Sequence, residues 1–278
     1  MARSVRMTRR VSFSSGHRYW IPALSDNENL ALFGHWASPY NHGHNYVLDV
    51  TVEGEVETST GMVVNIKRID DVLRTHIVRQ FDQKSLNDQV EHFHSRSTSL
   101  ENLVTYVAEC LNKPGVLPAE VSITSLRLEE MPTFFAELDL ATTPTTMTLT
   151  RSYEFAASHR LDSPALSPQE NLEVFGKCNN AAGHGHNYLL EVTVAGEPDP
   201  TTGMILNMDD LDRLVAELVV DRYDHKNLNV DIPEFQGKVT TSEIVALEIF
   251  DRLKHRLPAK LERVRLHETA RNVFEVSA

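Results

Sequence analysis

Cysteine is almost missing from this chain. Cys110 and Cys178 are the only two in 278 residues, too few for a disulfide framework. Long apolar runs are missing as well, since none approaches the roughly 18 residues of a membrane-spanning helix. Positive charge is in deficit, with 27 Lys and Arg against 39 Asp and Glu, a formal charge of -12 and a pI near 5.5. Such a balance leaves no electrostatic footprint for nucleic acid or an anionic membrane. The segment from Met1 to Arg10 is basic, but it has no hydrophobic stretch of the kind a secretory signal requires. The expectation is a cytoplasmic protein without nucleic-acid or membrane partners. What is present is 41% hydrophobic residues, enough for a packed core, and a length that suits one large or two ordinary domains.

The chain repeats itself. His17, His42 and His44 return as His159, His184 and His186, each 142 residues later. Phe33-Gly34 and Gly61-Met62 return as Phe175-Gly176 and Gly203-Met204 at the same offset. Asp82, Leu86-Asn87 and Glu101 return as Asp224, Leu228-Asn229 and Glu243. A four-residue shortening follows, so that Glu130 matches Glu268 at an offset of 138. The period is too long for a solenoid and implies one domain duplicated. The join is the polar Ala141 to Thr146, with Pro144 inside it. The domains are therefore read as 1–140 and 147–278.

Each repeat has the same pattern of elements. Val11, Phe13, Ser15 and His17 share a parity, as do Tyr153, Phe155, Ala157 and His159. Both runs are strands that deliver a histidine at their C-terminal ends. A loop of about two dozen residues leads to the His-Gly-His of a second strand, where Tyr188, Leu190, Val192 and Val194 alternate. Met208, Leu211, Leu214, Val215, Leu218 and Val219 then follow helical spacing. Thr240 and Glu243, like Thr98 and Glu101, have the form of a capping box opening a second helix. Two short strands close the repeat. The order β-β-α-α-β-β predicts an α+β unit, an antiparallel sheet with helices on one face.

On a strand, residues i and i+2 point to one face. His184 and His186 therefore project together, as do His42 and His44, and a third imidazole completes each set. His17 with His42 and His44, and His159 with His184 and His186, are candidate triads for Zn2+, with the open fourth position of a catalytic site. No carboxylate has the spacing of an iron facial triad. His76, His92, His94, His255 and His267 have no such pattern and are expected at the surface. Cys178 lies in a polar Lys177-Cys178-Asn179-Asn180 loop beside the second triad, where a nearby cation or metal favours a thiolate. Asp224-His225 pairs a carboxylate with an imidazole, which suits a proton relay. Cys110 keeps helical spacing with Val104, Val107 and Leu111 and is read as core.

These motifs together resemble the 6-pyruvoyltetrahydropterin synthase family. The resemblance rests on Phe155-x-x-x-His159, Gly176-Lys177-Cys178-Asn179-Asn180 and Gly183-His184-Gly185-His186-Asn187-Tyr188. Gly203-Met204, Asp224-His225-Lys226-Asn227-Leu228, Thr240-Thr241-x-Glu243 and Glu268-Thr269 continue it. It extends over both repeats, and the Cys178–His184 spacing resembles the pyruvoyl enzymes more than the related carboxytetrahydropterin synthases. The resemblance implies two tandem tunnelling-fold domains, in a fold whose subunits form trimers that stack into hexamers. It implies a carbon–oxygen lyase that removes triphosphate from 7,8-dihydroneopterin triphosphate, with zinc on the histidines and Cys178 as the base. Asp224 and His225 would form the relay. Glu268 would anchor the pterin, with Thr240, Thr241 and Glu243 near the same pocket and Glu130 as the first-repeat counterpart. Lys177, Lys226 and Arg160 are candidates for the phosphates.

The first repeat departs from this pattern. Trp36 stands at the position of Cys178, Gln83 at that of His225 and His35 at that of Lys177. Trp is no base and Gln relays no proton, so the first domain is expected to keep its metal site without catalysing. Three chains would build a pseudo-hexamer with one catalytic and one silent trimer. Two other readings stay open. One is a synthase releasing 6-carboxytetrahydropterin for queuosine, or a hydroxymethylpterin for folate, from the same substrate. The other is a non-catalytic pterin- or zinc-binding protein.

Overall fold

The computed structural model describes residues 3–278. Met1 and Ala2, where the first domain of the sequence reading begins, lie outside the described residues. The first repeat runs β1 (Ser4–His17), α1 (Asp26–Phe33), β2 (His42–Glu55), α2 (Ile66–Leu73), α3 (Leu100–Leu111), β3 (Ser122–Met131) and β4 (Phe134–Asp139). The second runs β5 (Thr146–His159), α4 (Pro168–Phe175), β6 (His184–Ala195), α5 (Met208–Val215), α6 (Ser242–Lys254), β7 (Lys260–Thr269) and β8 (Asn272–Ser277). The expected β-β-α-α-β-β order is present, with one short helix added in each long loop.

Two compact units result. One holds the residues through Leu149 together with Ala195–Asp209, and the other holds Thr150–Val194 and Asp210–Ala278. Sequence repeat and compact unit thus differ in two places: residues 147–149 of β5, and the segment Ala195–Asp209 from the end of β6 onward, belong with the first unit. In the first unit the strand order is β4-β3-β2-β1, and Lys84–Ser85 adds a short parallel pairing to β1. In the second it is β8-β7-β6-β5, with Lys226–Asn227 parallel to β5.

The β1–β2 ladder sets His17 opposite His42 and Ser15 opposite His44. Alternation does the rest: Val11, Phe13, Ser15 and His17 are all buried. The glycine between the paired histidines is required by close approach, because a Cβ on Gly43 would sit 3.2 Å from the Ser15 carbonyl oxygen and one on Gly185 3.2 Å from that of Ala157. Stacked Phe13 and Tyr46, ring centroids 5.1 Å apart, and their counterparts Phe155 and Tyr188 at 5.0 Å, pack beneath the histidines. Cys110 is buried in this core, as expected.

Helix starts correct the sequence reading. The full capping boxes belong to α1, with Ser25 and Glu28, and to α4, with Ser167 and Glu170. The helix α6 begins at Ser242 with Thr241 as N-cap and no side-chain cap bond, so Thr240 and Glu243 form no box. The helix α3 is capped by Ser99, which accepts from Asn102 N, and Glu101 points elsewhere. Three of the histidines expected at the surface, His76, His92 and His267, are half-buried. His92 stacks on Tyr106 at 3.9 Å, and His267 Nε2 lies 3.2 Å from Glu191 Oε1. Both imidazoles find partners on neighbouring elements, which spacing along the chain does not reveal.

A buried asparagine organises the loop that carries Cys178. Asn171 accepts from Ser163 N at 2.6 Å and donates to the carbonyls of Ser163, Leu166 and Ser167 at 3.0–3.2 Å. Asn171→Ala is expected to destabilise the protein by about 2–3 kcal/mol, since it removes four hydrogen bonds to part-buried backbone groups. Urea unfolding measures this; a change under about 0.5 kcal/mol, half the usual net worth of one hydrogen bond, would mean that water replaces the amide.

Candidate active site in the second repeat

His159 ends β5 and is buried, while His184 and His186 open β6. The His159 Nδ1 lies 2.7 Å from the Thr240 carbonyl oxygen. A carbonyl only accepts, so the proton is on Nδ1 and the Nε2 lone pair faces inward. The Nε2 atoms of His159 and His186 are buried without a hydrogen-bond partner among the described residues. The ring centroids of the three histidines lie 4.7–5.2 Å apart, and their ligating atoms all fall within 4.8 Å of one another. Burial pushes the pKa of His159 and His186 down, which keeps them neutral and able to bind a metal ion. The donor set therefore fits a divalent metal with nitrogen ligands.

One cavity of about 420 Å³ collects most of the expected groups. The three histidines, Lys177, Cys178, Thr241, Glu243 and Glu268 line it, together with Leu161, Ser242, Asn272 and Phe274. Cys178 is half-buried on the short turn after α4, and Glu243 is exposed at the first turn of α6. The Glu268 carboxylate lies 4.0 Å from His159 Nε2 and 3.9 Å from His186 Nε2. It accepts from Ser242 Oγ at 2.7 Å and Asn272 Nδ2 at 3.0 Å. Burial alone would raise its pKa, but these two donors and the neighbouring imidazoles outweigh burial and hold it below the usual range.

Several expected groups stand elsewhere. Thr240 is buried behind the cavity, where its hydroxyl donates to the Arg160 carbonyl, so it orients His159 and lines no pocket surface. Arg160 is engaged with the Asn179 carbonyl and Asp162. Asp224 and His225 line no part of the Cys178 cavity. His225 borders a second recess with Ala156, Ser158, His186, Asn187 and Lys226. Its backbone is left-handed, φ 57°, an unusual state for a non-glycine residue. Asp224 accepts from Ala156 N and from His225 Nδ1, both at 2.7 Å. Those bonds, the Ala156 amide first, lower the Asp224 pKa and leave His225 Nε2 facing solvent.

Ser242 and Asn272 were not foreseen. Ser242 is the unspecified residue of Thr240-Thr241-x-Glu243, and Asn272 lies four positions past Glu268, so neither stands out in one sequence. Their role depends on β7, β8 and α6 meeting at the metal ligands.

The first repeat has a matching triad. The ring centroids of His17, His42 and His44 lie 4.8–5.1 Å apart, and their ligating atoms also cluster within 4.8 Å. The His17 Nδ1 donates to the Thr98 carbonyl at 3.1 Å. Burial, with the adjacent imidazoles, pushes His17 down to about 3 and His44 to about 4. Where Cys178 would stand, Trp36 is buried, and its Nε1 donates to Asp209 Oδ1 at 3.1 Å. Glu101, the counterpart of Glu243, accepts from Ile205 N at 2.9 Å, and the Gly203 carbonyl accepts from Ser99 Oγ at 2.7 Å. The segment Gly203 to Asp209 thus covers the positions that face the cavity in the second repeat.

Comparison with known proteins agrees with the duplication. The family model described as 6-pyruvoyl tetrahydropterin synthase matches residues 6–140 and again 148–278. A 6-pyruvoyl tetrahydrobiopterin synthase of Poecilia reticulata is 49% identical over 126 residues, 45% of this chain and 86% of that protein. A 6-carboxy-5,6,7,8-tetrahydropterin synthase of Rickettsia conorii is 25% identical over 149 residues, 48% of this chain and 99% of that protein. The solved 6-pyruvoyl tetrahydropterin synthase of Caenorhabditis elegans is 43% identical, covering 48% of this chain and 96% of its own, with a TM-score of 0.46.

Proposed function

This chain belongs to the 6-pyruvoyl tetrahydropterin synthase family, and on that premise we propose a zinc-dependent lyase that takes triphosphate from 7,8-dihydroneopterin triphosphate. The carrying observation is the one cavity that joins Cys178, the His159–His184–His186 triad, Glu243 and Glu268. The second domain, 147–278, is the catalytic one, and the first, 1–140, is silent.

Zinc on the three imidazoles would supply Lewis-acid polarisation of the substrate's side-chain oxygens. The chain's own groups do the rest. Cys178 takes the proton from the side-chain carbon next to the pterin ring, with Lys177 beside it as the cation that faces the phosphates. Glu268, ionised and fixed by Ser242 and Asn272, anchors the pterin edge, for which a carboxylate and an amidine-like N–H pair have matching geometry. Thr241 and Glu243 stand in the same cavity beside it. Asp224 holds His225 by its Nδ1, leaving Nε2 to exchange protons. Because His225 lines a different recess from Cys178, the pair serves the site of a neighbouring copy. A homo-oligomer of three two-domain chains, in the cytoplasm, follows from this reading.

The test is mass spectrometry of the products formed by the zinc-loaded protein from 7,8-dihydroneopterin triphosphate. A pyruvoyl product supports the proposal. A 6-carboxy or hydroxymethyl product keeps the site and changes the pathway, and no product with zinc bound would sink the lyase reading. Oligomerisation is tested separately: native mass spectrometry should give three chains per particle, and a stable monomer with full turnover would rule out the shared relay.

A further inference from the structure

The two triads share a framework but differ in the carboxylate beside it. In the second unit Glu268 is held by Ser242 and Asn272, and its side chain is 16% exposed at the cavity wall. In the first unit Leu100 stands at the position of Ser242 and Phe134 at that of Asn272, both buried. Neither can donate a hydrogen bond from its side chain. Glu130 has shifted accordingly. Its side chain is 0% exposed, with Oε2 3.6 Å from His17 Nε2 and Oε1 3.4 Å from His44 Nε2. Ligand atoms bound tetrahedrally at zinc distances lie about 3.3 Å apart, close to those separations. The Tyr46 hydroxyl also lies near this group, 3.1 Å from His17 Nε2.

We propose that the first unit is a closed metal site in which Glu130 joins His17, His42 and His44 as the fourth ligand, making the ion structural. The side that forms the Cys178 cavity in the second unit is filled here. The Trp36 ring packs 5.7 Å from Phe134 and 5.4 Å from Tyr19, and its indole N–H is tied to Asp209. The Ile205 amide occupies the Glu101 carboxylate. The Tyr46 hydroxyl bonds the Glu130 carboxylate, and a metal on three neutral imidazoles adds the cation that a carboxylate withdrawn from water calls for. The difference between the units is then the one that separates structural from catalytic zinc sites: four protein ligands against three with an open position. The inference rests on the metal reading of the triads but not on the reaction.

The experiment uses Co2+ as a spectroscopic probe in the full chain carrying His184→Ala and His186→Ala, which leaves only the first triad intact. This protein should bind one Co2+ with the strong visible absorption of a four-coordinate site, and release it slowly to a chelator. Glu130→Gln on that background should weaken the absorption and speed release at least about 10-fold, the lower end of what losing a metal-site partner costs. Leu100→Ser with Phe134→Asn keeps the carboxylate but restores the donors that hold Glu268, and should loosen the ion in the same way. Metal-free melting curves separate a misfolded variant from a loosened site. Failure of the parent to bind Co2+ overturns the metal reading. Tight Co2+ whose spectrum and release are unchanged in both variants overturns the role of Glu130 alone.

Discussion

Cys178→Ala is expected to lower turnover by about 10²–10⁴-fold, the range that a positioned general base contributes, with little change in melting temperature. The stability half of this expectation follows from position: Cys178 is only half-buried, on a short turn. The loop is held by Asn171 and Asn179 instead, the latter donating to the Leu161 carbonyl at 2.7 Å. The activity half follows from the cavity, where the thiol is the one group on the Lys177–Asn180 turn able to accept a carbon-bound proton. Metal content should be unchanged, since Cys178 is not among the clustered ligating atoms. Metal analysis together with initial rates therefore separates a lost base from a lost ion. Turnover within about threefold of the parent, far short of a general base's contribution, would remove Cys178 from the mechanism and leave Glu268 as the base to test next. In contrast, Trp36→Cys should create no second activity, because the segment from Gly203 to Asp209 still covers that position and Gln83 replaces the relay imidazole.

Much of this was legible in one sequence because the repeat supplied its own control. Two histidine sets at one offset, each at strand parity, gave the triads, and the β1–β2 register then places them as parity implies. The strands and helices of each repeat also follow from periodicity. What the sequence could not supply was contact across elements. Thr240 appears in the motif as a pocket residue, yet its carbonyl binds the back of His159. Glu101 and Glu243 have the same apparent capping form, yet one is buried against Ile205 N and the other is exposed on a cavity. Local spacing specifies which residues share a face, not which distant backbone amide arrives there. The departure of the turn after β6 to the first unit is of this kind: no composition shift marks it, and only its bonds to Leu32, Trp36, Ser99 and Glu101 reveal it.

That arrangement makes Glu101 the place where pH should act most visibly on stability. Burial raises its pKa from 4.5 to about 7, with the Ile205 amide opposing only in part. In the unfolded chain the group titrates near the ordinary glutamate value. Between the two values the folded state holds more protons than the unfolded one, so stability falls as pH rises through that window. The loss is complete above about pH 7, and below about pH 4.5 the group's burial costs nothing in charge. The full loss is at most roughly 3 kcal/mol, because each tenfold change in proton affinity is worth about 1.4 kcal/mol. Glu101→Gln removes the titration and keeps an oxygen for the Ile205 N–H, while its amide hydrogens need new acceptors at a cost of about 1 kcal/mol. The variant is therefore expected to be about 2 kcal/mol more stable than the parent at about pH 8 and no more stable at about pH 4.5. Urea unfolding of both proteins across that range measures the difference. A gain that is largest at low pH would mean that the carboxylate is ionised and well paired in the fold. The Ile205 amide would then act as a strong anchor and not as a partial compensation for burial.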